Sequence, residues 1–418
     1  MKYDSVVVFT THFKITGKIS RTDTLLKIVS KTKIKIMKIL KLLTLAILMF
    51  SCNNEEQIIE NAKNNELERN STLSSNNYLG IEAIFMPELN TSYCQDGNNI
   101  LVFQDENHFI STLEYLEKLV EDTDDSFMAQ YGYMNPDDLD DFEESIGYEE
   151  QNPLIDFENN LNFCSLRKYI NNLENQWLDQ QTQSFDPTGD PEEQFAFGIS
   201  DWEEMTLYNQ NGEVIVGKFL YKLINNGEGW VQIDLNNPDL SNIVSIINQN
   251  HNSNTGQSNN TNLDATTVRL IESMGASVIN VNNNNVFCKD YVNRSKFEVI
   301  DNGNRIKARQ KMKVGTFNYT IVSKTVSYKW RNNKWKRRRN NIDAGFKETK
   351  LVYPSNTPAC NNVSDYDNSR NISNRRSRKY SDRINRNNFG WGWKYNNTLG
   401  TKSYHYINGN VIFWNLPI

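Results

Sequence analysis

Residues 324–339 read KTVSYKWRNNKWKRRR. Two runs of β-type residues flank Asn332-Asn333, and asparagine tolerates the positive φ that a two-residue hairpin turn needs. The spacing therefore predicts an antiparallel hairpin in which Trp330 faces Trp335. Alternation puts Trp335, Arg337 and Arg339 on one face and Lys336 and Arg338 on the other, so both faces are cationic. The pattern repeats outward from this hairpin. Residues 297–300 and 306–314 flank Asp301-Asn302-Gly303-Asn304, residues 317–322 and 325–330 follow, and Asn408-Gly409 joins residues 403–406 to 411–414. Residues 264–418 read as a basic, mainly antiparallel β domain: a meander, curled sheet or small barrel.

Upstream, the periodicity changes. Residues 100–103 form a short apolar strand, after which Asp105 caps a helix carrying Phe109, Leu113, Leu116 and Val120 at helical spacing. Residues 121–150 are an acidic surface excursion. Ser165 then caps a second helix with Leu166, Ile170, Leu173 and Trp177 on one face, and Asn211-Gly212 and Asn226-Gly227 read as hairpin turns. Residues 78–247 are thus an acidic α+β domain, and the chain as a whole is α+β. Residues 248–263 are Asn- and Ser-rich, with no apolar side chain before Leu263, and read as a linker.

The formal charge of -6 over 418 residues hides an asymmetry. Residues 53–205 carry 35 acidic and 5 basic side chains, and residues 289–418 carry 27 basic against 8 acidic. Such halves should attract one another. About 60 asparagines reflect the composition of an AT-rich coding sequence. With only 9 Pro and 20 Gly, collagen-like and Pro-rich classes are excluded.

The N-terminus reads as an address. Residues 42–50, LLTLAILMF, follow Lys38 and Lys41 and precede Ser51-Cys52. This nine-residue run is too short to span a bilayer, which takes about 20 apolar residues, but suits a signal-peptide core. From Met37 onward this segment resembles a bacterial lipoprotein signal, with the bulky residues before Ser-Cys seen in Bacteroidota lipoproteins. The resemblance extends to Phe163-Cys164-Ser165-Leu166-Arg167, to residues 207–223 and to residues 328–339, and it implies no activity. It does imply that Cys52 is lipidated and becomes the mature N-terminus. Residues 1–36 are then an upstream leader or a mis-set start, 37–51 the signal peptide, and 52–77 a lipidated tether. The resemblance implies a lipid-anchored outer-membrane location, and Glu55-Glu56 resembles the short export tag of surface-exposed Bacteroidota lipoproteins, so the cell surface is expected over the periplasmic face.

Four other cysteines, Cys94, Cys164, Cys288 and Cys360, are disulfide candidates in an oxidising compartment. Pairing within each half joins Cys94 to Cys164 and Cys288 to Cys360; Cys164 as a buried thiol is the other reading. Asp137 to Glu144 and Asp186 to Asp190 cluster hard oxygen ligands but lack an EF-hand's glycine and distal Glu, so no metal site is assigned. No G-x-S-x-G, H-E-x-x-H, Walker or dinucleotide motif occurs, and no catalytic residue or cofactor is assigned. His108 and His405 read as structural or exposed.

The expected function is a non-enzymatic envelope module that binds a polyanionic glycan or a partner protein, nucleic acid being the less favoured polyanion. Its candidate site is Lys329, Trp335, Lys336, Arg337, Arg338, Arg339, Arg375 and Arg376, cations interleaved with aromatic rings. The alternative is an outer-membrane glycan hydrolase with paired carboxylates, Asp201 and Glu204 being the candidates.

Overall fold

The computed structural model describes residues 77–86, 99–199, 201–224, 229–253, 263–280, 288–289, 292–301, 303–314, 317, 319–352, 363–375, 377–382, 394–396, 402–407 and 410–415. All lie in one compact unit, Leu73–Ile418. Cys52 and the segments before it, Cys94, Cys360, Arg376 and most of the proposed linker fall outside the described residues, as do the side chains of Cys288 and Arg375.

The first sheet takes its seven strands in chain order: β1 (Asn77–Tyr78), β2 (Ile81–Phe85), β3 (Asn99–Phe103), β4 (Glu213–Val216), β5 (Phe219–Ile224), β6 (Gly229–Asp234) and β7 (Ser277–Asn280). Every neighbouring pair is antiparallel except β3 with β4, where Val102 lies beside Ile215. A parallel pair needs a crossover, and here it holds six helices. These are α1 (Glu106–Tyr131), α2 (Pro136–Ile146), α3 (Asn152–Asn160), α4 (Leu166–Gln180), α5 (Pro191–Phe195) and α6 (Trp202–Thr206). Asp105 and Ser165 cap α1 and α4 through His108 N–H and Lys168 N–H, as their side chains predict.

Strand alternation splits the sheet's side chains between two cores. Leu101, Phe103, Val214, Val216, Tyr221, Leu223 and Trp230 face the crossover helices. Ile100, Ile215, Leu220, Ile224, Val231 and Ile233 face α7 (Leu240–Ser253) and α8 (Ala265–Ser273). Residue 248, the expected start of the linker, lies inside α7, and the chain beyond it returns to the first sheet as β7. The β4–β5 turn is Gly217-Lys218; Asn211-Gly212 instead leads into β4, with Gly212 at a φ of 69°.

The basic half forms two further sheets. One orders β9 (Val292–Val299), β10 (Asn304–Val314), β11 (Tyr319–Arg331) and β12 (Lys334–Arg337), with β15 (Ser377–Asp382) beside the other end of β11. The expected hairpin is present. Trp330 pairs with Trp335, and Asn332 and Asn333 take φ values of 54° and 59°. The segments expected at 317–322 and 325–330 are one strand, β11. The last sheet contains β8 (Cys288–Lys289), β13 (Asn340–Val352), β14 (Val363–Arg375), β16 (Lys394–Asn396), β17 (Lys402–Ile407) and β18 (Asn410–Asn415). Ile306, Ile342 and Ile407 pack between these two sheets. In the same layer His405 is fully buried, its ring nitrogens 2.8 Å from Thr325 Oγ1 and 3.1 Å from Ser403 Oγ. Burial pushes its imidazole down to about 3.

Candidate functional site at the seam between helices and hairpin

Alternation along β9 to β12 gives their sheet a second face, turned toward the crossover helices. β10 sends Ile306 and Ala308 one way and Arg305, Lys307 and Arg309 the other; β11 sends Lys324, Val326 and Tyr328 to that same side. A face carrying so many cations can be buried only against carboxylates. The helices supply them. Lys307 Nζ lies 2.7 Å from Glu192 and also pairs with Asp190, while Arg309 contacts Glu192 at 2.7 Å and Glu193 at 3.4 Å. Lys324 reaches Glu192 at 3.3 Å and sits 4.5 Å over the Trp202 ring. Burial dominates at Asp190, whose carboxyl is pushed up to about 6 against the pull of Lys307. Burial likewise lowers Lys324. Burial also acts to lower Lys307, but the carboxylates of Asp190 and Glu192 hold its ammonium above its ordinary value.

Beside this ionic layer lies an aromatic one. Trp177 and Phe185 meet Phe297, Tyr328 and Trp335, with Phe185 and Trp335 edge to face at 5.3 Å. Trp335 Nε1 donates to Thr182 O at 2.7 Å, and the Tyr328 hydroxyl donates to Glu174 at 2.8 Å. A third anchor comes from the β10–β11 connection. Phe317 enters the first core, 4.8 Å from both Phe109 and Tyr221.

The hairpin cations meet the same helices. Lys329 pairs with Asp137, Arg331 with Asp141 at 2.5 Å and Lys334 with Asp179 at 2.7 Å. Lys336 and Arg338 share Glu144, at 2.6 and 3.0 Å. Arg337 donates to Asn171 and lies 3.7 Å from Glu174. Arg339 is buried between Asp124 at 2.7 Å and Glu143 at 2.6 Å. Every hairpin residue of the sequence-derived site is thus gathered at one seam, and each of its cations is paired with a carboxylate. Asp137, Asp141 and Glu144, from the run of hard oxygen ligands at 137–144, turn to the hairpin. No group of three or more His, Cys, Asp or Glu side chains among the described residues is placed to hold a metal ion.

At the outer edge of the seam a cleft of about 390 Å³ opens between α2, α4 and β12. Its walls are Glu149, Glu150, Gln151, Asn171, Asn175 and Asp179 on one side and Lys334, Lys336, Arg337 and Arg338 on the other. Gln151 is also held by Arg167, whose guanidinium donates to it at 2.7 Å and pairs with buried Glu158.

Other candidate residues lie elsewhere. Asp201 and Glu204, at the start of α6, are 1% and 2% exposed and do not line this cleft. His108 Nδ1 accepts from Gln104 N–H at 3.2 Å and its Nε2 lies 3.1 Å from Leu79 O, so the ring ties the β1–β2 turn to the start of α1. Cys164 is disulfide-bonded, which replaces the reading of it as a buried thiol. Sequence reading missed the Asp190, Glu192, Glu193, Lys307, Arg309, Lys324 cluster and the Phe317 anchor. The cluster has a signal, cations at 305, 307 and 309 in strict alternation with apolar residues. Phe317 has none, being one aromatic residue in a polar loop.

No helix among the described residues is long and apolar enough to cross a membrane. No family model matches the chain, and no curated protein matches it. Among solved structures, a DUF4848 family protein from Bacteroides thetaiotaomicron is similar at 9% identity, covering 75% of this chain and 95% of that one, with a TM-score of 0.16.

Proposed function

We propose that this chain is a lipid-anchored envelope protein acting as a non-enzymatic binding module, and that the seam cleft receives a polypeptide partner carrying charges of both signs. The lipoprotein-like segment ending at Cys52 supports the anchor. The observation that carries the binding reading is the pairing of the hairpin cations. A polyanion brought to Lys334 and Lys336 would also meet Asp179, Glu144, Glu149 and Glu150, so its attraction is largely cancelled. The rim pairs are about half exposed on both sides. Such pairs contribute only about 0–1 kcal/mol each, so a partner can exchange them for intermolecular pairs at little cost.

A photo-crosslinking residue at Asn175 of the full chain, in its native envelope, tests this. The expected result is a polypeptide adduct that is lost when Lys334→Glu and Lys336→Glu are combined. Absence of an adduct overturns the reading. So does retention on heparin or DNA that the same double substitution removes, which restores the polyanion, and so does release of reducing sugar from an envelope glycan, which makes the protein a hydrolase.

A further inference from the structure

A second concavity lies away from the seam, between α1 and α3, with β1 closing one end; its volume is about 470 Å³, within the range of about 300–1,000 Å³ typical of small-ligand sites. Its chemistry differs from that of the seam. The floor is Leu116 and Phe157, both buried. Tyr78 stands edge-on to Phe157, ring centroids 6.0 Å apart at 71°, and is hydrogen-bonded to Tyr115. Tyr115 keeps 41% of its surface in solvent. The rim is a strip of α3, Asp156, Asn159 and Asn160, spaced so that all three share one exposed helical face.

We propose that this groove binds an uncharged saccharide. A pyranose has an apolar C–H face and an equatorial belt of hydroxyls. The exposed Tyr115 ring offers a surface for the first. The amides of Asn159 and Asn160, each donor and acceptor, and the acceptor-only carboxylate of Asp156 suit the second. None of these three side chains makes a hydrogen bond or ion pair to another described residue, so a ligand can engage them without breaking an internal contact. Among the described residues the lining contains no Lys, Arg or His, and Asp156 repels anions, so acidic glycans and phosphorylated ligands are disfavoured.

The site is independent of the seam cleft, and its test separates the two. The full chain in detergent is titrated calorimetrically with maltohexaose, cellohexaose, xylohexaose and chitohexaose, and with choline as a cationic control. At least one neutral oligosaccharide should bind, with affinity falling tenfold or more in Tyr115→Ala and in an Asp156→Ala, Asn159→Ala double variant. Lys336→Ala at the seam should leave it unchanged. Both groove variants alter exposed positions, and unchanged thermal unfolding checks that each still folds. The proposal is overturned if none of the four sugars binds, if binding survives both groove variants, if Lys336→Ala abolishes it, or if choline binds in place of the sugars.

Discussion

Arg339 and Asp124 are 215 positions apart in the chain and meet at 2.7 Å in a buried pair, with Glu143 on the same guanidinium at 2.6 Å. The contact joins the end of the basic hairpin to the middle of α1. Removing a charge from such a pair leaves the remaining ones buried without compensation, at a cost of about 3–5 kcal/mol. Arg339→Met should therefore lower unfolding free energy by that amount in urea titration at pH 7. Arg339→Lys should recover only part of it, because an ammonium cannot reproduce the guanidinium's fork.

Lys334 and Asp179 form the contrasting case, an exposed pair at 2.7 Å with each side chain more than half in solvent. Lys334→Ala should change stability by less than about 1 kcal/mol, and salt should erase the difference. If this exposed pair proved as costly to break as Arg339 with Asp124, the distinction between rim and buried seam would fail.

The strand hairpin, the capped helices and the attraction between opposite halves were legible because each follows from a local period or a charge count. Trp330 and Trp335 face each other for the reason the two-residue turn demands. The destination of the charges was legible in outline only: the hairpin cations read either as a surface for polyanions or as partners of the acidic half, and the structure takes the second, with the particular carboxylates set by the placement of α2 and α4 against β12. The domain boundary was obscured for a related reason: β7 pairs with β6 across the proposed linker, a contact no composition shift records.

Phe317 extends that point. It lies beyond the end of β10 yet is 3% exposed, inside the core formed by α1 and the first sheet. Phe317→Ala removes a buried ring and leaves a cavity between Phe109 and Tyr221, costing about 3–5 kcal/mol. Calorimetry should show a lower melting temperature. Hydrogen exchange should rise both in α1 and at the start of β11, since the ring connects them.

His405 sets the expected acid response. Its folded value, about 3, lies below the unfolded value of about 6.5, so the unfolded chain binds the proton first. Stability should fall by about 1.4 kcal/mol per pH unit as pH drops from about 6.5 toward 3. Asp190 works in the opposite direction, because its folded value of about 6 exceeds the unfolded value of about 3.9, and its contribution grows as pH falls between them. Urea titrations from pH 7 to 4 should show a steeper acid loss in Asp190→Asn and a shallower one in His405→Gln. Parallel curves for all three proteins would mean that neither group titrates as its burial requires.

The anchor carries the remaining prediction. Several acyl chains on one cysteine hold a protein at a membrane firmly, since each buried methylene contributes about 0.8 kcal/mol and a single chain gives only marginal binding. The apolar run at residues 42–50 is too short to serve as a transmembrane anchor in its place. If Cys52 bears the lipid, Cys52→Ser should move the protein from the detergent phase to the aqueous phase in Triton X-114 partitioning, and metabolic labelling with an alkyne fatty acid should mark the wild type alone. Protease added to intact cells then separates the two orientations: cleavage of the wild type places it on the cell surface, and protection until the outer membrane is permeabilised places it on the periplasmic face. Detergent partitioning that Cys52→Ser leaves unchanged would move the anchor elsewhere in the chain and remove the basis for the envelope assignment.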